Sequence, residues 1–151
     1  MKILMVCLGN ICRSPLAEGI LLHKISSNKH DWEIDSAGTG GWHAGQQPDI
    51  RSIHIAGKYG IDLTYQRARK IRPDDLKYFD LILAMDRSNL KDIASLTTSK
   101  ELKEKVKLIT EYSEKYKDQD VPDPYYDKDY GFQIVYNILD DAIDGILKKH
   151  S

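Results

Sequence analysis

The stretch MVCLGNICRSPLAEG, residues Met5 to Gly19, runs from an apolar segment through a short polar loop into a predicted helix. Both cysteines of the chain, Cys7 and Cys12, lie in this stretch, and Arg13 follows them directly. The apolar run ILMVCL is typical of a buried strand, and a serine followed by a proline is typical of a helix start. This stretch therefore predicts a strand, a tight loop and a helix in immediate succession.

The same alternation of strand and helix continues along the chain. Alternating strands and helices favour right-handed crossovers and a parallel sheet with helices on both faces. We therefore predict an α/β fold, a three-layer open sandwich around a four-stranded parallel sheet. The last helix carries an apolar stripe that indicates packing, and Gly60 is predicted to close the second helix. The predicted strands span residues 3–8, 32–37, 79–85 and 106–110, and the predicted helices span 15–27, 49–59, 88–94 and 130–149.

Length, charge and cysteine spacing exclude several classes of protein. With 151 residues the chain predicts one domain, residues 1–151. A net charge of −1 offers no basic surface for nucleic acid or anionic membranes. The N-terminal apolar run is too short for an export signal and no stretch is long enough to span a membrane, so we expect a cytoplasmic monomer. The cysteine spacing fits no zinc site, and we expect neither metal nor cofactor.

The loop after the first strand is predicted to bind an oxyanion. Ligands of open parallel sheets bind beyond the carboxyl ends of the strands, which is where this loop lies. Gly9 and Asn10 tolerate left-handed backbone, which lets successive amides point into one concavity, and the following helix start adds further free amides. We therefore predict phosphate binding by the loop residues Leu8, Gly9, Asn10, Ile11, Cys12, Arg13 and Ser14.

The same surroundings favour Cys7 as a nucleophile. Loop amides, the helix start, the Ser14 hydroxyl and the fixed charge of Arg13 would all stabilise a thiolate. Our hypothesis is that Cys7 takes a phosphoryl group whose oxygens Arg13 binds through its fork of donors. A buried structural thiol beside a surface arginine remains the alternative on this spacing alone. A nucleotide P-loop and a dinucleotide fingerprint are excluded because their lysine and glycines are missing.

CLGNICRSPLAE, residues 7–18, resembles the signature of the low-molecular-weight protein tyrosine phosphatases. DSAGTGGW (35–42), AMDRSN (84–89) and DPYY (123–126) match the family in the same order. The resemblance implies a flavodoxin-like, phosphotyrosine protein phosphatase I-like fold. It also implies a redox-regulated acid phosphatase that hydrolyses phosphotyrosine in proteins and small aryl phosphates through a cysteinyl phosphate. Inorganic phosphate and vanadate are then expected to inhibit.

The leaving oxygen of a phenol needs a proton, and the loop contains no acid that could donate it. Asp123 lies between two prolines and beside two tyrosines that could shield its carboxyl from water. The resemblance assigns Asp123 the role of general acid and then of general base for the attacking water. By composition alone, Asp120, Asp127 and Asp129 remain rivals.

Three aromatic residues, Trp42, Tyr125 and Tyr126, lie on predicted loops. A lone loop tryptophan more often packs in a local cluster than binds a ligand, but the resemblance implies that these residues line the substrate cleft. The resemblance implies that Trp42 and Tyr125 form the walls of a slot for a phenyl ring. Ile11 adds an apolar wall, whereas a phosphoarginine-directed branch of the family tends to have threonine there. Ile11 therefore favours an aryl substrate.

Two further expectations concern the surroundings of the thiol. The resemblance implies that Cys12 protects oxidised Cys7 through a reversible disulfide. It also implies a supporting network of Asn10, Ser14 and Ser36, which many members complete with a histidine where this chain has Tyr65. The Tyr65 hydroxyl either replaces that histidine or changes the network. Both versions stay open at this point.

Other activities on the same fold are weaker matches to the residues. Arsenate reduction needs additional cysteines to relay oxidation, and none follows Cys12. Phosphoarginine hydrolysis is disfavoured by Ile11. A module that only binds phosphate or phosphopeptides would need neither Cys7 nor Asp123.

Overall fold

The computed structural model describes residues 1–26, 31–126 and 129–150, and its strands and helices alternate as predicted. In chain order the elements are β1 (Lys2–Cys7), α1 (Arg13–Ser26), β2 (Glu33–Gly38), α2 (Ile50–Lys58), α3 (Asp75–Tyr78), β3 (Leu81–Ala84), α4 (Arg87–Ala94), α5 (Lys100–Lys103), β4 (Val106–Leu108), a 3₁₀ helix (Ile109–Tyr112) and α6 (Asp129–His150). Ser27, the predicted end of the first helix, lies outside the described residues.

The four strands form one parallel sheet in the order β2-β1-β3-β4, which confirms the predicted sheet. The chain leaves β1 through α1 to reach β2 on one side, whereas β3 lies on the other side. The carboxyl end of β1 is thus the point where strand order reverses, and ligands of open α/β sheets bind there. The register sets Cys7 at this end, opposite Gly38.

Alternating side chains of β1 supply two cores, one on each face of the sheet. Ile3 and Met5 pack with α1 and α6, while Leu4 and Val6 face the opposite way. The predicted packing stripe of α6 is confirmed. Leu147 is partly buried against the core, and the other members are buried: Phe132, Val135, Tyr136, Leu139, Ile143 and Ile146. Gly60 follows α2 with φ of 76°, the left-handed backbone that a closing glycine provides.

Three short elements were not predicted: α3, α5 and the 3₁₀ helix. Each has four residues, too few to show a helical period in the sequence. The predicted third and fourth strands were also too long. The third is limited to Leu81–Ala84, and after the fourth the chain leaves the sheet at Leu108 and turns into the 3₁₀ helix. None of the helices in the described ranges combines the length and hydropathy of a membrane span.

Candidate active site

The loop between β1 and α1 is held from outside through its carbonyl groups. The peptide bonds of the described residues are all trans, and in a planar trans peptide the N–H points away from the carbonyl. The amides that follow these carbonyls therefore point away from the residues that bind the carbonyls, which is the orientation that an anion nest needs. Phosphate binding by the loop stays a prediction. Thr39 N donates to Cys7 O at 2.9 Å, and Gly40 N donates to Leu8 O at 2.9 Å. Asp49 N donates to Ile11 O at 2.8 Å, and Ser52 Oγ donates to Cys12 O at 3.2 Å.

Asn10 and Gly9 have different functions in the loop. Asn10 has the left-handed backbone that we predicted, with φ of 57°, and its side chain is buried. Gly9 does not adopt a positive φ, so that part of the prediction was wrong. A Cβ on Gly9 would lie 3.1 Å from His43 Cδ2, and the glycine thus makes room for the imidazole at the edge of the loop.

Ser14 is positioned to donate a hydrogen bond to the sulfur of Cys7. Cys7 is buried, and its Sγ lies 3.0 Å from Ser14 Oγ. Asn10 Nδ2 donates to the same Ser14 oxygen at 2.8 Å, so the serine's own hydrogen is left for another acceptor. The alternative acceptor, Ala37 O, is farther away at 3.5 Å. The hydroxyl is therefore arranged to support a negative charge on sulfur.

Arg13 is a buried cation with anchored geometry. Arg13 is only 2% exposed, and its Nη1 donates to Asp86 Oδ2 at 2.6 Å and to Val121 O at 3.0 Å. Its Nη2 lies 3.7 Å from Asp123 Oδ2. Burial opposes the charge, but the Cys7 sulfur and the carboxyl of Asp86 raise the pKa of the guanidinium above its ordinary value. The site therefore holds a permanent positive charge beside the thiol.

Asp86 is a site residue that the sequence analysis did not single out. One oxygen accepts from Arg13, and the other accepts from Asn89 N at 2.8 Å as the N-cap of α4. The matched stretch AMDRSN contains Asp86, and an aspartate that follows a buried strand and begins a helix was the available signal.

Behind the loop, the expected network of Asn10, Ser14 and Ser36 is present and extends to Glu18. Asn10 Nδ2 also donates to Ser36 Oγ at 3.0 Å. The Tyr65 hydroxyl donates to Glu18 Oε2 at 2.7 Å, and Ser36 also hydrogen-bonds Glu18. Tyr65 thus joins the network through Glu18, which sequence analysis missed. Burial raises the pKa of Glu18 to about 7, although the hydrogen bonds from Tyr65 and Ser36 work in the opposite direction.

Asp123 stands at the mouth of the site. Its Oδ1 accepts from Tyr125 N at 3.0 Å, while Oδ2 faces Arg13. The side chain is 43% exposed and Tyr126 is 95% exposed, so our expectation that the tyrosines enclose this carboxyl was wrong. The rival Asp120 pairs with Arg87 at 2.8 Å. Asp127 and the side chain of Asp129 lie outside the described part of the chain.

A cavity of about 240 Å³ brings the candidate residues together. Asn10 and Ser14 support it from behind through the contacts given above. Across the described ranges, no group of His, Cys, Asp and Glu could hold a metal ion. Trp42 is 69% exposed at its rim, and His43 is a wall residue that sequence analysis did not predict. The cavity is lined by Cys7, Leu8, Gly9, Ile11, Cys12, Arg13, Trp42, His43, Asp123, Tyr125 and Tyr126.

Cys12 differs from Cys7 in its electrostatic surroundings. Both thiols are buried and free, with no disulfide between them. Burial, and then the nearby charge of Asp49, raise the pKa of Cys12 above its ordinary range. A raised pKa disfavours the thiolate of Cys12, and the thiolate is the form that an attacking group needs. Its role as redox partner of Cys7 stays a prediction.

Comparison with known proteins gives concordant results. The family described as low molecular weight phosphotyrosine protein phosphatase matches residues 2–150. A putative low molecular weight protein-tyrosine-phosphatase of Synechocystis is 44% identical over 149 residues, 97% of this chain and 94% of that protein. A protein tyrosine phosphatase of Entamoeba histolytica superposes with a TM-score of 0.94 at 36% identity, over 99% of this chain and 96% of the other. The Drosophila arginine phosphatase superposes with a TM-score of 0.90 at 36% identity, over 100% and 98%.

The buried carboxyl of Glu18 predicts a specific dependence of stability on pH. The folded protein keeps the proton up to about pH 7, whereas the unfolded chain releases it near pH 4.5. Wild-type stability therefore falls as the pH rises through this window, by about 3 kcal/mol for this group. Glu18→Gln cannot titrate, so its stability relative to wild type should rise by that amount between pH 4.5 and pH 8 in urea unfolding.

The exposed Glu114→Gln provides the control for loss of one carboxylate, because Glu114 is 83% exposed and pairs only distantly with Lys148. A stability difference between Glu18→Gln and wild type that stays constant with pH would show that Glu18 is ionised throughout.

Proposed function

Because the chain belongs to the low molecular weight phosphotyrosine protein phosphatase family, we propose that it hydrolyses phosphotyrosine in proteins by nucleophilic attack of Cys7 on phosphorus. The observation that carries this proposal is the 3.0 Å contact of the Cys7 sulfur with Ser14 Oγ, inside a cavity lined also by Arg13 and Asp123. A nucleophile, a fixed cation and an acid thus share one cavity with a nest of amides. These are the groups that transfer of a phosphoryl group to sulfur requires.

In the first step, the phosphate oxygens bind the loop amides and the guanidinium of Arg13, which balance their negative charge. The Cys7 thiolate forms the bond from sulfur to phosphorus on the side opposite the leaving phenol oxygen. The bond from phosphorus to that oxygen breaks, and Asp123 transfers its proton to the oxygen. The products are a cysteinyl phosphate and a free tyrosine side chain.

In the second step, the Asp123 carboxylate takes a proton from a water molecule while the water oxygen attacks phosphorus. The bond from sulfur to phosphorus breaks, and the electron pair returns to Cys7 as a thiolate. The Ser14 hydroxyl, which Asn10 orients, supports that charge through a hydrogen bond. Inorganic phosphate then leaves, and Asp123 is protonated again for the next cycle.

The walls of the cavity favour an aryl substrate. Trp42, Tyr125 and Ile11 present aromatic and apolar surface that suits a phenyl ring. A phosphoarginine would bring a guanidinium that needs hydrogen-bond acceptors, and Ile11 offers none from its side chain. The likeness to the Drosophila arginine phosphatase makes phosphoarginine the second substrate to test. Arsenate reduction is the weaker alternative, because the chain has no cysteines besides Cys7 and Cys12.

Replacing the nucleophile should separate catalysis from binding. We expect the wild-type protein to hydrolyse phosphotyrosine in the presence of a chelator, and Cys7→Ser to lose at least about 10⁴-fold in kcat. Inorganic phosphate should still bind to Cys7→Ser, because the amides and Arg13 remain. Phosphate release and calorimetric phosphate binding measure the two properties. The proposal would be contradicted if wild type lost activity with chelator or if Cys7→Ser retained activity. It would also be contradicted if wild type hydrolysed phosphoarginine faster than phosphotyrosine.

Removing the acid should affect substrates according to their leaving group. In Asp123→Ala we expect kcat/KM for phosphotyrosine to fall by about 10²- to 10⁴-fold, because the phenol oxygen leaves without a proton. The loss for p-nitrophenyl phosphate should be much smaller, because nitrophenolate is a good leaving group. Asp120→Ala is the matched control and should resemble wild type. If Asp120→Ala shows the selective loss instead, Asp120 is the acid.

A further inference from the structure

Arg51, in the first turn of α2, is tied to the residue that caps its own helix. Its Nε donates to Asp49 Oδ1 at 3.0 Å and its Nη2 donates to Asp49 Oδ2 at 3.0 Å. The backbone N–H of Arg51 also donates to Asp49 Oδ1 at 2.8 Å. Two parallel contacts from a guanidinium to a carboxylate define both position and orientation of the planar group. The Arg51 guanidinium is therefore a rigid donor.

The same guanidinium reaches the segment that carries the acid. Arg51 Nη2 donates to Tyr125 O at 2.8 Å. The guanidinium carbon also lies over two aromatic rings, 4.6 Å from the ring centre of Phe132 in α6 and 5.9 Å from that of Tyr125. Arg51 thus joins the start of α2 to the segment 123–126 and to α6. Lysine could not make this set of contacts, because it lacks a planar fork.

The contacts form a continuous path from the anion loop to the acid. Asp49 N donates to Ile11 O in the loop at 2.8 Å, which ties the capping residue to the phosphate site. At the other end, Tyr125 N donates to Asp123 Oδ1 at 3.0 Å. Arg51 lies in the middle of this path, between Asp49 and Tyr125. One backbone residue, Tyr125, thus both orients the acid and accepts the hydrogen bond from Arg51.

The acid needs such an anchor because its own side chain makes few contacts with the described residues. Val121 is tied to the scaffold, since its N–H donates to Met85 O at 2.9 Å and its carbonyl accepts from Arg13. Beyond Val121 the chain to Tyr125 forms no helix or strand, and the Asp123 side chain is 43% exposed. Its second oxygen lies 3.7 Å from Arg13, beyond hydrogen-bond distance. A carboxyl in this position depends on the backbone that carries it.

We propose that Arg51 is a positioning residue that, through the carbonyl of Tyr125, holds Asp123 over the phosphate site for proton transfer to the leaving oxygen. This inference rests on the proposed function, because it assumes that Asp123 is the acid. Displacement of a catalytic group by about 1 Å reduces rate by up to about 100-fold. Loss of Arg51 should therefore reduce acid catalysis without reducing affinity for the phosphoryl group.

The test uses Arg51→Gln and Arg51→Lys, with Arg72→Gln as control. Arg72 is 72% exposed, and its ion pair with Asp75 is long at 3.9 Å. We expect kcat/KM for phosphotyrosine to fall about 10- to 100-fold in Arg51→Gln, and less in Arg51→Lys. The loss for p-nitrophenyl phosphate should stay within about threefold, and phosphate affinity should remain near that of wild type.

A double-variant cycle distinguishes positioning from a general structural effect. If Arg51 acts through the acid, Arg51→Gln combined with Asp123→Ala should lose no more phosphotyrosine activity than Asp123→Ala alone. Additive losses, equal losses on both substrates, or weakened phosphate binding in Arg51→Gln would overturn the inference. Should Arg51→Gln fail to fold, Arg51→Lys gives the same comparison because it keeps the charge.

The outcome also separates this inference from the proposed function. If Asp123→Ala shows the selective leaving-group effect and the Arg51 variants do not, only the role of Arg51 is wrong. If Asp123→Ala shows no such effect, the proposed acid is wrong whatever the Arg51 variants do.

Discussion

The buried guanidinium of Arg13 is the interaction on which the rest of the site depends. A charge that is 2% exposed is stable only if acceptors and counter-charges surround it. Those partners come from distant parts of the chain: Asp86 at the start of α4, and the carbonyl of Val121, two residues before Asp123. The partners of this one cation therefore bring the end of β3, the start of α4 and the segment that carries Asp123 to the carboxyl end of β1. In the proposed reaction, the same cation binds the oxygens of the phosphoryl group.

The hydrogen bonds around Cys7 have a consistent direction. Arg69 N donates to Asn10 Oδ1 at 3.0 Å, which orients the amide so that its Nδ2 donates to Ser14. Ser14 consequently presents a hydrogen to sulfur rather than a lone pair. Because Asn10, Ser14 and Cys7 are buried, alternative orientations would leave a polar group unpaired at a cost of about 1 to 3 kcal/mol. The polarity of the site is therefore set by the scaffold and does not rely on the substrate.

The phosphate-binding part of this site, which sequence analysis predicted from local patterns, is contiguous in the chain. Cys7, the loop and Arg13 lie within one strand, loop and helix start, so local propensities and spacing indicate both their structure and their chemistry. Asp86 could not be assigned in this way, because it lies 73 residues from Arg13 and they meet only through the sheet order. Arg51 was missed for the same reason, since Tyr125 lies 74 residues away. Glu18 lies within the first motif, but its contact with Tyr65 spans 47 residues and could not be inferred locally. The error about the shielding of Asp123 arose because loop sequence does not specify where aromatic side chains point.

The central claim is that the phosphoryl group is carried by the Cys7 sulfur. It is tested most directly by mixing Asp123→Ala with p-nitrophenyl phosphate, stopping turnover with a denaturing detergent and locating phosphate by mass spectrometry of peptides. The variant lacks the base for the second step, so the intermediate should accumulate. We expect a phosphoryl group on Cys7 together with release of an equivalent amount of nitrophenol. A phosphoryl group on another side chain, or none on Cys7 throughout turnover, would contradict the account.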